Sequence, residues 1–171
     1  SSDVCSSDLT GLFPMATEKP IPKKVIRPQK TALWALTQNG VDLAFRMAKK
    51  IEDTELFIGK SVRLAPGEAI RFENLSRAVE REFDRFSAHV FVMATGIVVR
   101  VIAPHLKSKR IDPAVVVVDD AGQFAISLVS GHLGGANALA RHVSEIIDAL
   151  PVVTTATDVN RIPAIDVLAL K

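Results

Sequence analysis

The chain has 171 residues, of which 48% are hydrophobic and 23% charged, and this composition excludes a disordered tail and a coiled coil. The net charge is only +2 and the basic residues are spread along the sequence, so a nucleic-acid partner is not expected. The most apolar window, residues 91–102, contains Arg100 and is shorter than the roughly 20 residues of a membrane span, so no membrane partner is expected.

The first 30 residues lack apolar periodicity. Residues 1–14 open with SSDVCSSDL, which resembles a translated sequencing adapter, so they are predicted to be a non-native tail that precedes a start at Met15. A genuine disordered tail is the alternative. Residues 15–30, rich in proline and lysine, are predicted to lead into a domain of residues 31–160. The chain's one cysteine, Cys5, lies in the tail, so no disulfide or thiol chemistry is expected, which suits a reducing cytoplasm.

The first half of the domain predicts two strands and two helices. Residues 31–37 form a short apolar run typical of a strand, and residues 41–51 carry apolar side chains at helical spacing, with Asn39 as the expected N-cap. Residues 55–60 predict a second strand. Asn74 is expected to cap a second helix, whose apolar stripe lies among charged residues as on an amphipathic surface helix.

Strands and helices also alternate in the second half of the domain. The predicted elements are strand 88–94, helix 97–106, strand 114–120, strand 124–129, a helix over residues 139–150 and strand 151–156. The two strands on either side of the turn at Gly122 are expected to pair as an antiparallel hairpin. The sequence therefore predicts an α/β domain with three layers, α/β/α, around a mostly parallel, mixed sheet.

Polar clusters follow four of the predicted strands, and ligands of such sheets bind outside the carboxyl ends of the strands. We expect Thr95, Ser130 and Thr155 to lie at one edge of the sheet and to form one pocket, bounded by the helix that begins near Gly134. The pair Asp119-Asp120 is left outside this group. It is either an acid–base or metal pair or simply a pair of turn formers.

The segment SGHLGGAN, residues 130–137, leads directly into a predicted helix. Its glycines permit close approach of a ligand, and free N–H groups at the helix start attract a carboxylate or phosphate. Alternatively, the glycines only cap and pack the helix. His132, between glycines, is the best candidate for a general acid or base, with a turn histidine bonded to a backbone carbonyl as the alternative.

Two further observations concern charged groups. Arg100 interrupts an otherwise apolar helix, so it is expected to need a carboxylate partner or a ligand. The four histidines and the single cysteine show no metal-ligand spacing, so no protein metal site is expected.

Taken together, residues 94–160 resemble the amino-terminal domain of the CbiG family of cobalamin biosynthesis, the cobalt-precorrin-5A hydrolases. The motifs that carry the resemblance are Thr95-Gly96-Ile97, Arg100, Asp112-Pro113-Ala114-Val115-Val116, Ser130-Gly131-His132-Leu133-Gly134-Gly135-Ala136-Asn137 and Thr154-Thr155-Ala156-Thr157-Asp158. Family members continue into further regions, so residues 161–171 are expected to begin a truncated following region. Fusion of the native protein to another pathway enzyme is left open.

The resemblance implies an enzyme of anaerobic vitamin B12 synthesis. Such an enzyme opens the ring-A δ-lactone of cobalt-precorrin-5A and releases acetaldehyde to give cobalt-precorrin-5B. The implied partner is the cobalt-containing tetrapyrrole, with other cobalamin-pathway enzymes as further candidates. Cobalt would enter within the substrate, so no separate cofactor is expected.

In this scheme His132 is the expected catalytic base, and N–H groups around Gly134 and Gly135 are the expected donors to the oxyanion. The expected substrate-binding residues are Thr95, Gly96, Arg100, Ser130, Gly131, Gly134, Gly135, Asn137, Thr155 and Asp158. The alternative function is a non-catalytic α/β module that binds an anionic tetrapyrrole or a phosphorylated metabolite.

Overall fold

A computed structural model describes residues 30–63 and 68–155 of the chain. The described residues do not include the predicted non-native tail. They also do not include residues 156–171, and with them Asp158 and the predicted following region 161–171. The elements in chain order are β1 Thr31–Ala35, α1 Gln38–Ala48, β2 Thr54–Gly59, β3 Ile70–Phe72, α2 Leu75–Glu82, β4 Ala88–Val92, α3 Thr95–Ile102, β5 Ala114–Val118, β6 Phe124–Val129, α4 Ala136–Ile147 and β7 Leu150–Val152. A 3-10 turn, Ala103–His105, follows α3 at Pro104.

The described strands form one seven-stranded sheet in the order β3-β2-β1-β4-β5-β6-β7. All neighbours pair in parallel except β5 and β6, which form the antiparallel hairpin expected from the sequence. The hairpin reverses the chain, and β7 is parallel to β6. Therefore β1 to β5 end at one edge of the sheet, here called the carboxyl edge, whereas β6 and β7 end at the opposite edge, here called the amino edge.

Helices cover both faces of the sheet. Alternate strand residues pack with α1 and α4 on one face, and the others pack with α2 and α3 on the second face, because side chains point alternately to the two sides of a strand. The run Val115–Val118 is fully covered from both sides, as expected for a central strand. The prediction of a three-layer α/β/α domain with a mixed sheet is confirmed.

The second face holds an aromatic cluster around the tryptophan of β1. Trp34 stacks on Phe57 with ring centroids 4.2 Å apart and donates its indole N–H to Nδ1 of His89 at 3.1 Å. The other ring nitrogen of His89 lies 3.1 Å from the carbonyl oxygen of Phe83. His89 is completely buried, so its two ring nitrogens satisfy polar groups inside the core.

Several local details differ from the predictions. The strand Ile70–Phe72 was not predicted, because three residues with only Phe72 buried give no readable alternation. Asn39 is not the cap of α1: the extended residue Thr37 precedes the helix, and its hydroxyl accepts the N–H of Gly40 at 3.0 Å. The predicted cap of α2 is confirmed, since Asn74 accepts from the N–H of Arg77 at 3.0 Å.

Candidate functional site

The predicted site residues divide between the two edges of the sheet. Thr95 and Gly96 follow β4 and lie at the carboxyl edge, whereas Ser130 follows β6 and Thr155 follows β7 at the amino edge. The prediction of one pocket that joins Thr95 with Ser130 is therefore wrong. The physical reason is the hairpin, which carries the end of β6 to the edge where β4 begins.

The loop between β6 and α4, here called the β6–α4 loop, comprises residues 130–135 and is closed by its own backbone. The N–H groups of Gly135, Ala136 and Asn137 donate to the carbonyl oxygens of His132, Ser130 and Gly131 respectively, at 3.1 to 3.2 Å. The expected free N–H groups at the start of α4 are thus occupied. Two N–H groups were predicted to donate to the oxyanion. The N–H of Gly134 donates to no acceptor among the described residues, whereas the N–H of Gly135 donates to the carbonyl oxygen of His132.

Ser130 anchors the start of the β6–α4 loop to a neighbouring segment. Its hydroxyl donates to the carbonyl oxygen of Asp112 at 3.1 Å, and its backbone has φ +60°, which is uncommon for a residue with a side chain. Asp112 is itself nearly buried and accepts the N–H of Lys107 at 2.9 Å. A strained residue held by fixed partners is a frequent feature of functional sites.

Asn137 fixes the end of the same loop. Its side chain is buried, its Oδ1 accepts from the Ser127 hydroxyl at 2.6 Å, and its Nδ2 donates to the Thr155 hydroxyl at 3.0 Å. One amide thereby joins β6, α4 and the residues that follow β7. These bonds make Asn137 a residue that orders the loop, and its expected contact with a substrate stays a prediction.

The glycines of the loop have two different physical roles. A Cβ at Gly131 would lie 2.7 Å from Oδ1 of Asn137, and a Cβ at Gly134 would lie 2.4 Å from Cβ of Ser130. These two glycines are required by packing, which supports the alternative interpretation of the segment. Gly135 is required by its backbone, with φ +86°, and open space lies around the position of its missing Cβ.

His132 lies in the middle of this closed loop and is half-buried. The loop backbone on either side of His132 is held by the bonds of Ser130 and Asn137. The described residues contain no group of three His, Cys, Asp or Glu side chains arranged to hold a metal ion.

Arg100 does not require the partner that the sequence suggested. The buried residues of α3 are Val98, Val101 and Ile102, and the helical repeat places Arg100 on the opposite, exposed side. Its guanidinium is therefore solvated. Exposed Ile97 and Val99 flank it, which explains why the helix looked uniformly apolar in the sequence.

The two aspartates of the hairpin are turn and cap partners. The carboxylate of Asp119 accepts the N–H groups of Ala121 at 3.1 Å and Phe124 at 2.6 Å. The carboxylate of Asp120 accepts from the Thr37 hydroxyl, across the end of β4. Their geometry agrees with the turn-forming alternative.

A cavity of about 630 Å³, which the sequence did not predict, lies at the carboxyl edge beside the ends of β2 and β3. The signal that was available is the polar pair Lys60-Ser61, which directly follows the second strand. A smaller cavity of about 360 Å³ adjoins it near the start of α1. No described helix is long and apolar enough to cross a lipid bilayer.

Comparison with known proteins gives one consistent result. The family model "Cobalamin synthesis G N-terminal" matches residues 77–158. The chain is 44% identical over 147 residues to the cobalt-precorrin-5A hydrolase of Salmonella typhimurium, a match that covers 85% of this chain and 41% of the relative. It is 35% identical over 139 residues to the enzyme of the same name from Priestia megaterium, covering 79% of this chain and 37% of the relative.

A solved structure shows the same architecture. The crystal structure of a cobalamin biosynthesis protein G homolog from Sulfolobus solfataricus superposes with a TM-score of 0.57 at 26% identity, over 74% of this chain and 37% of that chain. The chain thus spans about two fifths of the length of the curated relatives it matches.

Proposed function

We propose that this chain, which belongs to the cobalamin synthesis G N-terminal family, is the amino-terminal part of a cobalt-precorrin-5A hydrolase. The observation that carries the proposal is the 44% identity over 147 residues with the Salmonella enzyme of that name. A second relative with the same name, at 35% identity, favours an enzyme over a non-catalytic binding module.

The amino edge is the proposed place of the reaction. There the β6–α4 loop holds His132 between two anchors, the Ser130 bond to Asp112 and the Asn137 bonds to Ser127 and Thr155. A base held in fixed geometry reaches the reacting water without first losing conformational entropy, and this is a main source of catalytic rate. Thr95, Gly96 and Arg100 belong to other surfaces and are left out of this site.

In the proposed reaction His132 accepts a proton from water as the water oxygen attacks the lactone carbonyl carbon. The N–H of Gly134 is the proposed donor to the carbonyl oxygen, which gains negative charge in the transition state. The bond between the acyl carbon and the ring oxygen then breaks, and the proton held on His132 passes to the leaving oxygen. The freed hydroxyl on the methylated meso carbon then loses its proton, and the carbon–carbon bond between the meso carbon and the macrocycle breaks. The oxygen becomes the aldehyde oxygen of the departing acetaldehyde, and the macrocycle carbon takes up the electron pair and a proton.

The cobalt ion of this scheme is part of the substrate, so the protein residues bind and orient the macrocycle without a cofactor of their own. The residues proposed to bind it at the amino edge are those of the loop surface, Gly131, Gly134 and Gly135, together with Thr155. Asp158, which lies outside the described residues, stays a predicted binding residue on the family resemblance. We further propose that the reaction takes place in the cytoplasm, with other enzymes of the pathway as partners.

The test is acetaldehyde release. The chain is joined to the remaining carboxyl-terminal part of the Salmonella relative and incubated with cobalt-precorrin-5A, with the intact Salmonella enzyme as control. We expect one acetaldehyde for each cobalt-precorrin-5B formed, measured by derivatisation and mass spectrometry. Binding of the substrate without acetaldehyde, under conditions where the control reacts, would overturn the proposal in favour of a binding module.

A further inference from the structure

We propose that the carboxyl edge of the sheet carries a separate binding site, for an organic anion with an apolar body. The site is the cavity of about 630 Å³ at the ends of β2 and β3 together with the adjoining cavity of about 360 Å³. Both volumes fall in the range of small-molecule sites. This proposal does not depend on the proposed function, because it concerns the opposite edge of the sheet.

Among the described residues, the order of the elements places helices beside this point but none directly after β2. α1 follows β1 on one face of the sheet, and α2 follows β3 on the other. No helix occurs between β2 and β3 among the described residues, so no described element packs above the end of β2. In open α/β sheets, ligands bind in the crevices outside the carboxyl ends of parallel strands.

The larger cavity is lined by both apolar and polar side chains. Leu36, Phe72 and Leu75 line its apolar part, whereas Lys60, Ser61 and Glu73 line its polar part. A Cβ at Gly59 would lie 3.4 Å from Cδ2 of Leu36, so a larger side chain at position 59 would take up space beside Leu36. Such a cavity favours a ligand that has both an apolar body and a polar end.

The charges around the two cavities indicate the sign of the polar end. Lys60 forms an ion pair with Glu73, so these charges offset each other at the rim. Arg63 lines the smaller cavity, is exposed, and forms no ion pair or hydrogen bond with another described residue. Thr37 and Gln38 also line this cavity, but the Thr37 hydroxyl already donates to the Asp120 carboxylate and the Gln38 amide donates to the Asp42 carboxylate at 3.3 Å. Arg63 therefore supplies the positive charge of this lining. A carboxylate or phosphate is the group that a guanidinium binds with two parallel hydrogen bonds.

The two cavities share Leu36 and Ser61, so one ligand can extend through both. Its apolar body would lie against Phe72 and its anionic group near Arg63. The strands of the sheet are about five residues long, which corresponds to roughly 16 Å between the edges. The site is thus distinct from the β6–α4 loop.

The indole of Trp34 can report whether a ligand occupies the larger cavity. Trp34 is the chain's one tryptophan, so its indole N–H gives a single NMR signal. Its ring centroid lies 5.8 Å from that of Phe72, which lines the cavity. A ligand that contacts Phe72 is expected to shift this signal, whereas the backbone signal of Gly134 at the amino edge should not move.

The experiment titrates the 171-residue chain with 2-naphthoate, with the uncharged isostere 2-naphthamide, and with 1-naphthyl phosphate. We expect saturable shifts of the Trp34 signal with both anions and at least fivefold weaker binding of the amide. The relative affinities of the two anions then decide between a carboxylate and a phosphate as the preferred group. Saturable binding of the amide as tight as that of the anions would overturn anion recognition.

Variants separate the site from general apolar adsorption. Arg63→Gln should weaken binding of the anions about five- to tenfold, whereas the control Arg110→Gln should leave it unchanged. Ser61→Phe places a ring where the two cavities meet. It should abolish the ligand-induced shift of the Trp34 signal while the melting temperature is retained. The His132→Ala variant should bind the probes normally. The binding result therefore does not depend on whether the proposed hydrolase function is correct. Equal binding by Ser61→Phe, or equal shifts at Gly134, would refute the site.

Discussion

The side chain of Asn137 fills the space that Gly131 leaves by having no Cβ. An added Cβ at position 131 would lie 2.7 Å from the amide oxygen of Asn137, and that oxygen is held by the Ser127 hydroxyl at 2.6 Å. The two residues are therefore a matched pair: the small residue permits the buried amide, and the amide closes the loop that carries His132.

The first prediction concerns this close approach. Gly131→Ala should lower the free energy of unfolding by about 1–3 kcal/mol, because the buried amide or the backbone must move. Gly96→Ala is the matched control, since nothing lies within 4 Å of its Cβ position, and it should be neutral or slightly stabilising. Urea unfolding followed by circular dichroism measures both. Equal stability of the two variants would show that the loop relaxes without cost.

The second prediction tests the hydrogen bonds of Asn137. Asn137→Ala leaves two hydroxyl groups without their partner and should cost about 1–3 kcal/mol in unfolding free energy. Asn39→Ala, at an exposed position of α1, should change stability by less than about 0.5 kcal/mol. If the two alanine variants unfold at the same denaturant concentration, the bonds of Asn137 do not stabilise the loop.

The third prediction addresses the proposed base. In the protein joined to the carboxyl-terminal part of the Salmonella relative, His132→Ala should lower acetaldehyde release by about 10²- to 10⁴-fold while cobalt-precorrin-5A still binds. His132→Gln keeps a hydrogen-bonding group but accepts no proton at neutral pH, so it should be similarly impaired. Near-normal turnover in the glutamine variant would assign His132 to the loop structure and move the search for the base to Asp158 or to the carboxyl-terminal part.

The fourth prediction follows from the separation of the two edges. Thr95→Val, at the carboxyl edge, should leave both kcat and KM for cobalt-precorrin-5A within about twofold of the parent, because the proposed reaction lies at the amino edge. At the amino edge, Ser130→Ala likewise removes a hydroxyl group without adding bulk, and it should lower kcat, because it removes the bond to Asp112 that positions the loop. A large rise in KM for Thr95→Val would place the substrate at the carboxyl edge and contradict the proposed site.

The fifth prediction concerns the buried imidazole of the second face. His89→Phe keeps a ring in the aromatic cluster but removes the acceptor of the Trp34 N–H and the partner of the Phe83 carbonyl. We expect a loss of about 2–4 kcal/mol in unfolding free energy. His142→Phe serves as control, because that side chain is half-exposed on α4 and should change stability little. A stable His89→Phe protein would mean that the aromatic packing compensates for both lost bonds.

The sequence by itself determined the types of element and the layered fold, because these follow from local periodicity. The valines of β5, the apolar stripe of α2 and the turn at Gly122 need no distant partner to be interpreted. The motifs that carry the resemblance to the family are also local, so the similarity was readable before any contact was known. In contrast, the short strand β3 exists only through its pairing with β2, and its sequence carries no alternation.

Only the tertiary structure decided which polar residues lie together. Thr95 and Ser130 each follow a strand. The turn at Gly122 predicted that β6 runs opposite to β5, but the edge at which Thr95 lies relative to this hairpin is fixed by the parallel pairing of β4 with β5, which depends on residues far apart in the chain. Likewise, the N–H groups at the start of α4 looked free until the folded loop supplied their acceptors. The edge at which a residue lies, its burial and its hydrogen-bond partners depend on contacts between residues far apart in the chain. These contacts exist only once the sheet has formed.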